Sequence, residues 1–194
     1  SQGHLQDLGV AALFHDVGYT AREGAVPGGH PGYAPPFERH AAAGARMLLR
    51  QRGFHEARIH RIRAILEHHD DCHGSSVFGR ILRIAEDFDN LSNSERCMGS
   101  PAVALGSMAG SAGTAYDPLL FQALVNRLGP YPPGTLLQLT DGRVVHSASL
   151  VRSPETFAKP LCVLAQTASG QRPAERIEID IAEGEGQIAR LHLG

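Results

Sequence analysis

Histidines and acids stand along this chain where helical packing calls for apolar side chains: His15 with Asp16, then His40, His68 with His69, and Glu86. Steps of three and four put Leu5, Leu8, Ala12 and His15 on one helical face. Phe37, His40, Ala41, Gly44 and Leu48 form a second such stripe. His69 lies seven residues after Ile62, and Glu86 four after Leu82, so each continues a face that would otherwise be core. A single buried histidine is readily satisfied by backbone or water. Several imidazoles and carboxylates buried together without a cation carry a desolvation cost that an ion offsets. The pattern predicts helices packed around a shared centre holding one or two divalent transition metals. Imidazole nitrogen mixed with carboxylate oxygen suits Fe or Mn, and also Zn or Ni, better than Ca or Mg alone.

Composition narrows the setting. The 194 residues, 42% hydrophobic and 20% charged, suffice for one substantial core and a small appended module. A formal charge of −2 and an isoelectric point near 6.6 give no global basic field, which argues against a nucleic-acid polymer as partner. Cys72, Cys97 and Cys162 are odd in number and form no CxxC motif, so a reduced, cytoplasmic location is expected rather than a disulfide framework. No run approaches the length of a membrane span, and no secretory signal is visible. Beginning at Ser1 rather than Met, the chain reads as a fragment, with room for an upstream regulatory domain or for homodimer formation.

The chemistry is concentrated early. Residues 4–17, 37–52, 55–69, 77–92 and 117–128 read as helices, and nine of the eleven histidines fall before residue 74. Residues 23–36 carry four Gly and four Pro and are expected to form a mobile loop beside the centre. His30 in that loop is a candidate substrate contact, with a partnerless loop histidine as the alternative reading. Residues 99–113, rich in Gly, Ala and Ser, suggest a weak helix at most. After Gly129 the pattern changes to alternation and turns. Residues 135–146 resemble a hairpin turning at Asp141-Gly142, and residues 161–165 and 177–181 read as further strands of a small antiparallel sheet.

Four stretches, taken in order, resemble the HD-GYP family, a branch of the HD metal-dependent phosphohydrolases whose active members hydrolyse cyclic di-GMP. They are Ala11-Ala-Leu-Phe-His-Asp-Val-Gly18, Arg39-His-Ala-Ala-Ala-Gly-Ala-Arg46, Glu67-His-His69, and Arg80-Ile-Leu-Arg-Ile-Ala-Glu-Asp-Phe-Asp-Asn-Leu91. The resemblance continues through Ala115-Tyr-Asp-Pro118, and Leu128-Gly-Pro-Tyr-Pro132 with the hairpin looks like a family C-terminal extension. It implies a mainly α fold: an HD-type helical bundle over residues 1–128, followed by a small antiparallel β extension over 129–194. It also implies that His15, Asp16, His40, His68, His69 and Glu86 are metal ligands. Asp16 would bridge two ions at the catalytic centre. The implied activity is phosphodiester hydrolysis by a metal-activated water, on a cyclic dinucleotide or another phosphoester.

This chain departs from the family pattern at several positions. Glu86 stands where the family has Asp, and Tyr19 where it has a Lys expected to hold a substrate phosphate. The Gly-Tyr-Pro element is missing after His69; Gly74-Ser-Ser-Val-Phe78 runs directly into the next helix. Arg96 lies near a family arginine and is a further candidate substrate contact, with an exposed surface arginine as the alternative. Two readings follow: a phosphodiesterase, which the metal motifs favour, or a catalytically degenerate HD-type signalling or ligand-binding module.

Overall fold

The computed structural model describes residues 2–20, 37–51 and 59–193. Helices come first: α1 (Gln2–Phe14), α2 (Phe37–Leu49), α3 (Ile59–Glu67), α4 (Val77–Ser92), α5 (Pro101–Ala109) and α6 (Pro118–Leu128). Strands follow: β1 (Leu136–Leu139), β2 (Val144–Ser147), β3 (Leu161–Gln166), β4 (Glu178–Asp180) and β5 (Ile188–Leu191). The fold is mainly helical with a small C-terminal antiparallel sheet, as the sequence pattern predicts. The chain divides into two compact units, one of Ser1–Glu86 with Gly113–Leu120, the other of Asp87–Ala112 with Phe121–Gly194. No described helix is long and apolar enough to cross a membrane.

In the first unit, α3 packs against both α1 and α2, and α2 also packs against a short 3-10 turn, Val17–Thr20. Ala11, Ala45, Leu48, Ile62, Ala64 and Ile65 form the buried cluster, with Val17 and Phe78 packed on it. Small alanines on three helices let the backbones approach closely, which brings the helix ends together. The face of α1 differs from the stripe read in the sequence. Asp7 and Ala11 are its buried residues, while Leu5 is 72% exposed and Ala12 is exposed. Apolar residues surround this helix, so spacing alone does not pick its inner face. What fixes the face is polar: Arg61 on α3 donates through Nε to Asp7 at 2.8 Å.

Helix starts in this unit are set by side-chain acceptors. Ser76 Oγ accepts from the Gly79 amide at the head of α4, and the Asp117 carboxylate accepts from the Leu119 and Leu120 amides at the head of α6. The expected helices over 4–17 and 55–69 are shorter than their apolar pattern. His15 and Asp16 lie on the turn after α1, and His68 and His69 on the turn after α3. Residues 52–58 and the expected loop 23–36 lie outside the described residues.

The second unit holds the sheet, in the order β4-β3-β2-β1-β5 with every neighbour antiparallel. Its core is Leu137, Leu139, Val145, Cys162, Leu164, Ile179 and Ile181, with Tyr131, Ile188 and Leu191 packed against it. The hairpin turns where expected, with Gly142 at φ 89° and the Asp141 carboxylate accepting from the Arg143 amide. Strand β5 has no counterpart in the sequence reading. It is short, it follows the glycine-rich Gly184-Glu-Gly186, and its pairing with β1 shifts register between Gln138 and Leu139. Residues 99–113 contain a true helix, α5, because Ala104, Leu105 and Met108 are buried and packing outweighs weak local propensity. All three cysteines are buried and unbridged.

Candidate metal centre

The turns after α1 and α3, the first turn of α2 and the inner face of α4 bring His15, Asp16, His40, His68, His69 and Glu86 together. His40 lies at the middle of the arrangement and is fully buried. Its Nε2 stands 3.1 Å from His68 Nε2, 3.2 Å from His69 Nε2 and 3.1 Å from Asp16 Oδ1. His15 Nε2 stands 3.4 Å from Asp16 Oδ2 and 4.0 Å from Glu86 Oε2. Glu86 Oε2 is also 3.8 Å from His68 Nε2, which links the two sets of contacts.

Backbone carbonyls decide which ring nitrogens face inward as lone pairs. His68 Nδ1 lies 2.7 Å from the Ile65 carbonyl, and His15 Nδ1 lies 2.8 Å from the Ala12 carbonyl. A carbonyl only accepts, so each Nδ1 carries a proton and each Nε2 is the nitrogen turned to the centre. His15 Nε2 faces carboxylate oxygens, and His68 Nε2 faces the His40 ring. Burial pushes the His68 pKa down to about 3, reinforced by His69, His15 and His40, so its ring is neutral at ordinary pH. Four imidazoles and two carboxylates thus turn nitrogen and oxygen atoms to one centre, an arrangement that suits a cation.

The donor set fits a metal on geometry as well. His40, His68 and His69 form one group, and His15, Asp16 and Glu86 another; within each, one donor atom per residue lies within 4.8 Å of the others. Metal–imidazole bonds of about 2.0–2.1 Å at tetrahedral or octahedral angles place neighbouring nitrogens roughly 2.9–3.4 Å apart, which brackets the His40 spacings. Asp16 turns one oxygen to each group, Oδ1 toward His40 and Oδ2 toward His15.

The turn carrying Asp16 is wedged against α2. A Cβ on Gly18 would fall 1.8 Å from the His40 carbonyl oxygen and 2.7 Å from the Gly44 nitrogen, so only glycine permits this approach. The Tyr19 amide donates back to the Asp16 carbonyl at 3.0 Å, and the Tyr19 ring stacks on His40 with centroids 4.2 Å apart and planes 11° from parallel. Burial, then the charges of Asp16 and Glu86, raises the Tyr19 pKa, which keeps the phenol protonated.

Two residues that support the centre lie within the quoted stretches but received no role in the sequence reading. Arg83 donates to the carbonyls of His69 and Asp70, holding the turn that carries the histidine pair. Its position three before Glu86, on the same side of α4, is the spacing that could have flagged it. Glu67, adjacent to the histidine pair, accepts from the Ser76 amide at 2.7 Å and from Arg63 Nε at 2.8 Å, so it braces the turn between α3 and α4. These contacts hold the Glu67 carboxyl below its usual range despite its burial. Of the expected substrate contacts, Tyr19 lies at the centre and Arg96 is exposed on a 3-10 turn, Glu95–Cys97, in the second unit. His30 lies outside the described residues.

Residues 2–93 match the profile of the HD domain. Over this part the chain is similar to the HD domain, and all six candidate ligands fall inside the match. The chain is also 28% identical, over 205 aligned residues, to the cyclic di-GMP phosphodiesterase PA4108 of Pseudomonas aeruginosa. That match takes in 96% of this chain but only 48% of the relative, so the chain spans about half the relative's length. No solved structure matches the chain.

Proposed function

We propose that this chain is a metal-dependent phosphodiesterase of the HD-GYP kind, acting on cyclic di-GMP or a closely related phosphoester. The observation that carries the reading is the convergence of six donor side chains, with His15 and His68 fixed by backbone carbonyls so that each turns Nε2 to the centre. The name of the Pseudomonas relative supplies the substrate class. In this reading His15, Asp16, His40, His68, His69 and Glu86 hold one or two divalent ions, Fe or Mn first and Zn or Ni as alternatives. Bound there, the metal would lower the pKa of a coordinated water and polarise the phosphoryl oxygen.

The chain's own residues do the rest. Asp16 joins the two donor groups through its two oxygens, and its 48% exposed side chain faces the side from which substrate arrives. The carbonyls of Ala12 and Ile65 orient His15 and His68 and keep them in the ligating tautomer. Tyr19 covers His40, and His30 and Arg96 remain candidate contacts to substrate. Residues 1–128 would form the catalytic domain and 129–194 an accessory extension.

Elemental analysis of the purified protein, paired with a cyclic di-GMP hydrolysis assay in added Mn or Fe, tests the proposal. Bound transition metal with turnover supports it. Full metal occupancy with no turnover would favour the degenerate binding module, the reading supported by Tyr19 in place of a cation and by the missing Gly-Tyr-Pro.

A further inference from the structure

We infer that Tyr19 is a substrate-reading residue of this centre, its inner ring face resting on His40 and its outer face stacking a nucleobase of the bound substrate. The inference rests on the nucleotide phosphodiester reading given above and adds to it a recognition element.

Three observations carry it. The ring is nearly parallel to His40 at 4.2 Å, so one aromatic face is covered, yet the residue is still 44% exposed. Among the described residues, His40 is the ring stacked on it, and nearly half of Tyr19 is left accessible. The ring is also held in place before any ligand arrives. Its amide donates to the Asp16 carbonyl, the Thr20 hydroxyl donates to the Val17 carbonyl at 2.7 Å, and Gly18 is in tight contact with α2. A fixed platform loses little freedom on binding, which favours stacking over a mobile side chain. Finally, the neighbourhood discriminates between parts of a substrate. The side chain carries no cation for a phosphate, only a hydroxyl able to donate a single hydrogen bond, whereas an aromatic face suits a planar aromatic ring. His40 is buried directly beneath, so a base stacked on Tyr19 sits one aromatic layer from the donor cluster, which leaves its phosphate near the ion that cluster would hold.

Equilibrium binding to metal-loaded protein, with GMP and inorganic phosphate as probes, tests the idea without requiring turnover. Wild type is expected to bind GMP more tightly than phosphate. Tyr19→Leu should weaken GMP about tenfold, in line with base–aromatic stacking, and leave phosphate within about twofold. Tyr19→Phe and Tyr19→Trp should keep GMP affinity near wild type, since the ring rather than the hydroxyl is the contact. Equal wild-type affinity for the two probes would overturn the inference. So would equal losses for both probes in Tyr19→Leu, or a Tyr19→Phe loss as large as that of Tyr19→Leu. The two proposals fail separately. Ring-dependent GMP binding with no hydrolysis of cyclic di-GMP removes the catalytic reading alone. Hydrolysis by wild type with unchanged KM in Tyr19→Leu removes the stacking alone.

Discussion

Arg61 on α3 reaches the buried Asp7 on α1 at 2.8 Å, so a charged pair rather than an apolar stripe sets how α1 lies in the first unit. Asp7→Ala should lower stability by about 3 kcal/mol, because it leaves a largely buried guanidinium without its carboxylate. Replacing both residues with leucine should cost less than the single change, since no charge is then left inside. Urea unfolding of the three proteins checks the order. Equal midpoints for wild type and Asp7→Ala would dismiss the pair as a determinant.

Two glycines near each other in sequence should respond oppositely to alanine. Gly18→Ala would drive a methyl group into the His40 carbonyl, displacing the turn that carries Asp16, so a loss of about 2–3 kcal/mol and a fall in bound metal are expected. Gly9→Ala, inside α1 with open space around it, should instead stabilise by about 0.5–1 kcal/mol. Thermal denaturation together with metal stoichiometry reads both.

Asp16 and Glu86 should differ as ligands. Asp16 presents a separate oxygen to each donor group, at 3.1 Å from His40 and 3.4 Å from His15, whereas Glu86 brings the one oxygen Oε2 to 4.0 Å from His15 and 3.8 Å from His68. Asp16→Ala is therefore expected to remove bound metal more completely than Glu86→Ala, as measured by elemental analysis after metal loading. The same metal content in wild type and Asp16→Ala would reject the bridging role.

Acid should expose the cap of α6. The amide of Leu120 foremost, then Arg80 and the amide of Leu119, hold the Asp117 carboxyl below its ordinary value of 3.8. A carboxyl whose folded pKa is depressed contributes stability that is fully present above the unfolded value and is lost as pH falls through the folded one. That contribution should fade below pH 3.8 and not above it. Asp117→Ala should cost about 1 kcal/mol at neutral pH and flatten the acid limb of the stability profile. Asp117→Asn, which keeps an acceptor but no charge, should flatten that limb with a smaller cost at neutral pH. An unchanged acid limb in both variants would exclude the cap.

Much of this was legible in the chain because it depends on local pattern. Helix α4 spans Val77–Ser92, the range its apolar spacing indicates, and the Asp141-Gly142 turn is set by a conformation glycine adopts without strain. The six centre residues stood out since histidine and carboxylate are costly on faces that pack. The inner face of α1 was not legible, because apolar residues surround that helix and the deciding partner, Arg61, is 54 residues away. Strand β5 escaped for a similar reason. Four residues after a glycine-rich turn carry little pattern of their own, and their pairing with β1 is a long-range event. The stack of Tyr19 on His40 likewise depends on how the Val17–Thr20 turn meets α2, not on either residue's neighbours.

The placement of the two histidine-bearing turns just past the ends of α1 and α3 gives the proposed ion a role in chain topology. His40 and His68 are 28 residues apart in the chain, yet their inward nitrogens stand 3.1 Å from one another. An ion held between them would act as a reversible cross-link, closing loops whose entropy the unfolded chain otherwise retains. Binding energy at the centre would then also be folding energy for the helical unit, so the supply of metal would set how much of that unit is folded.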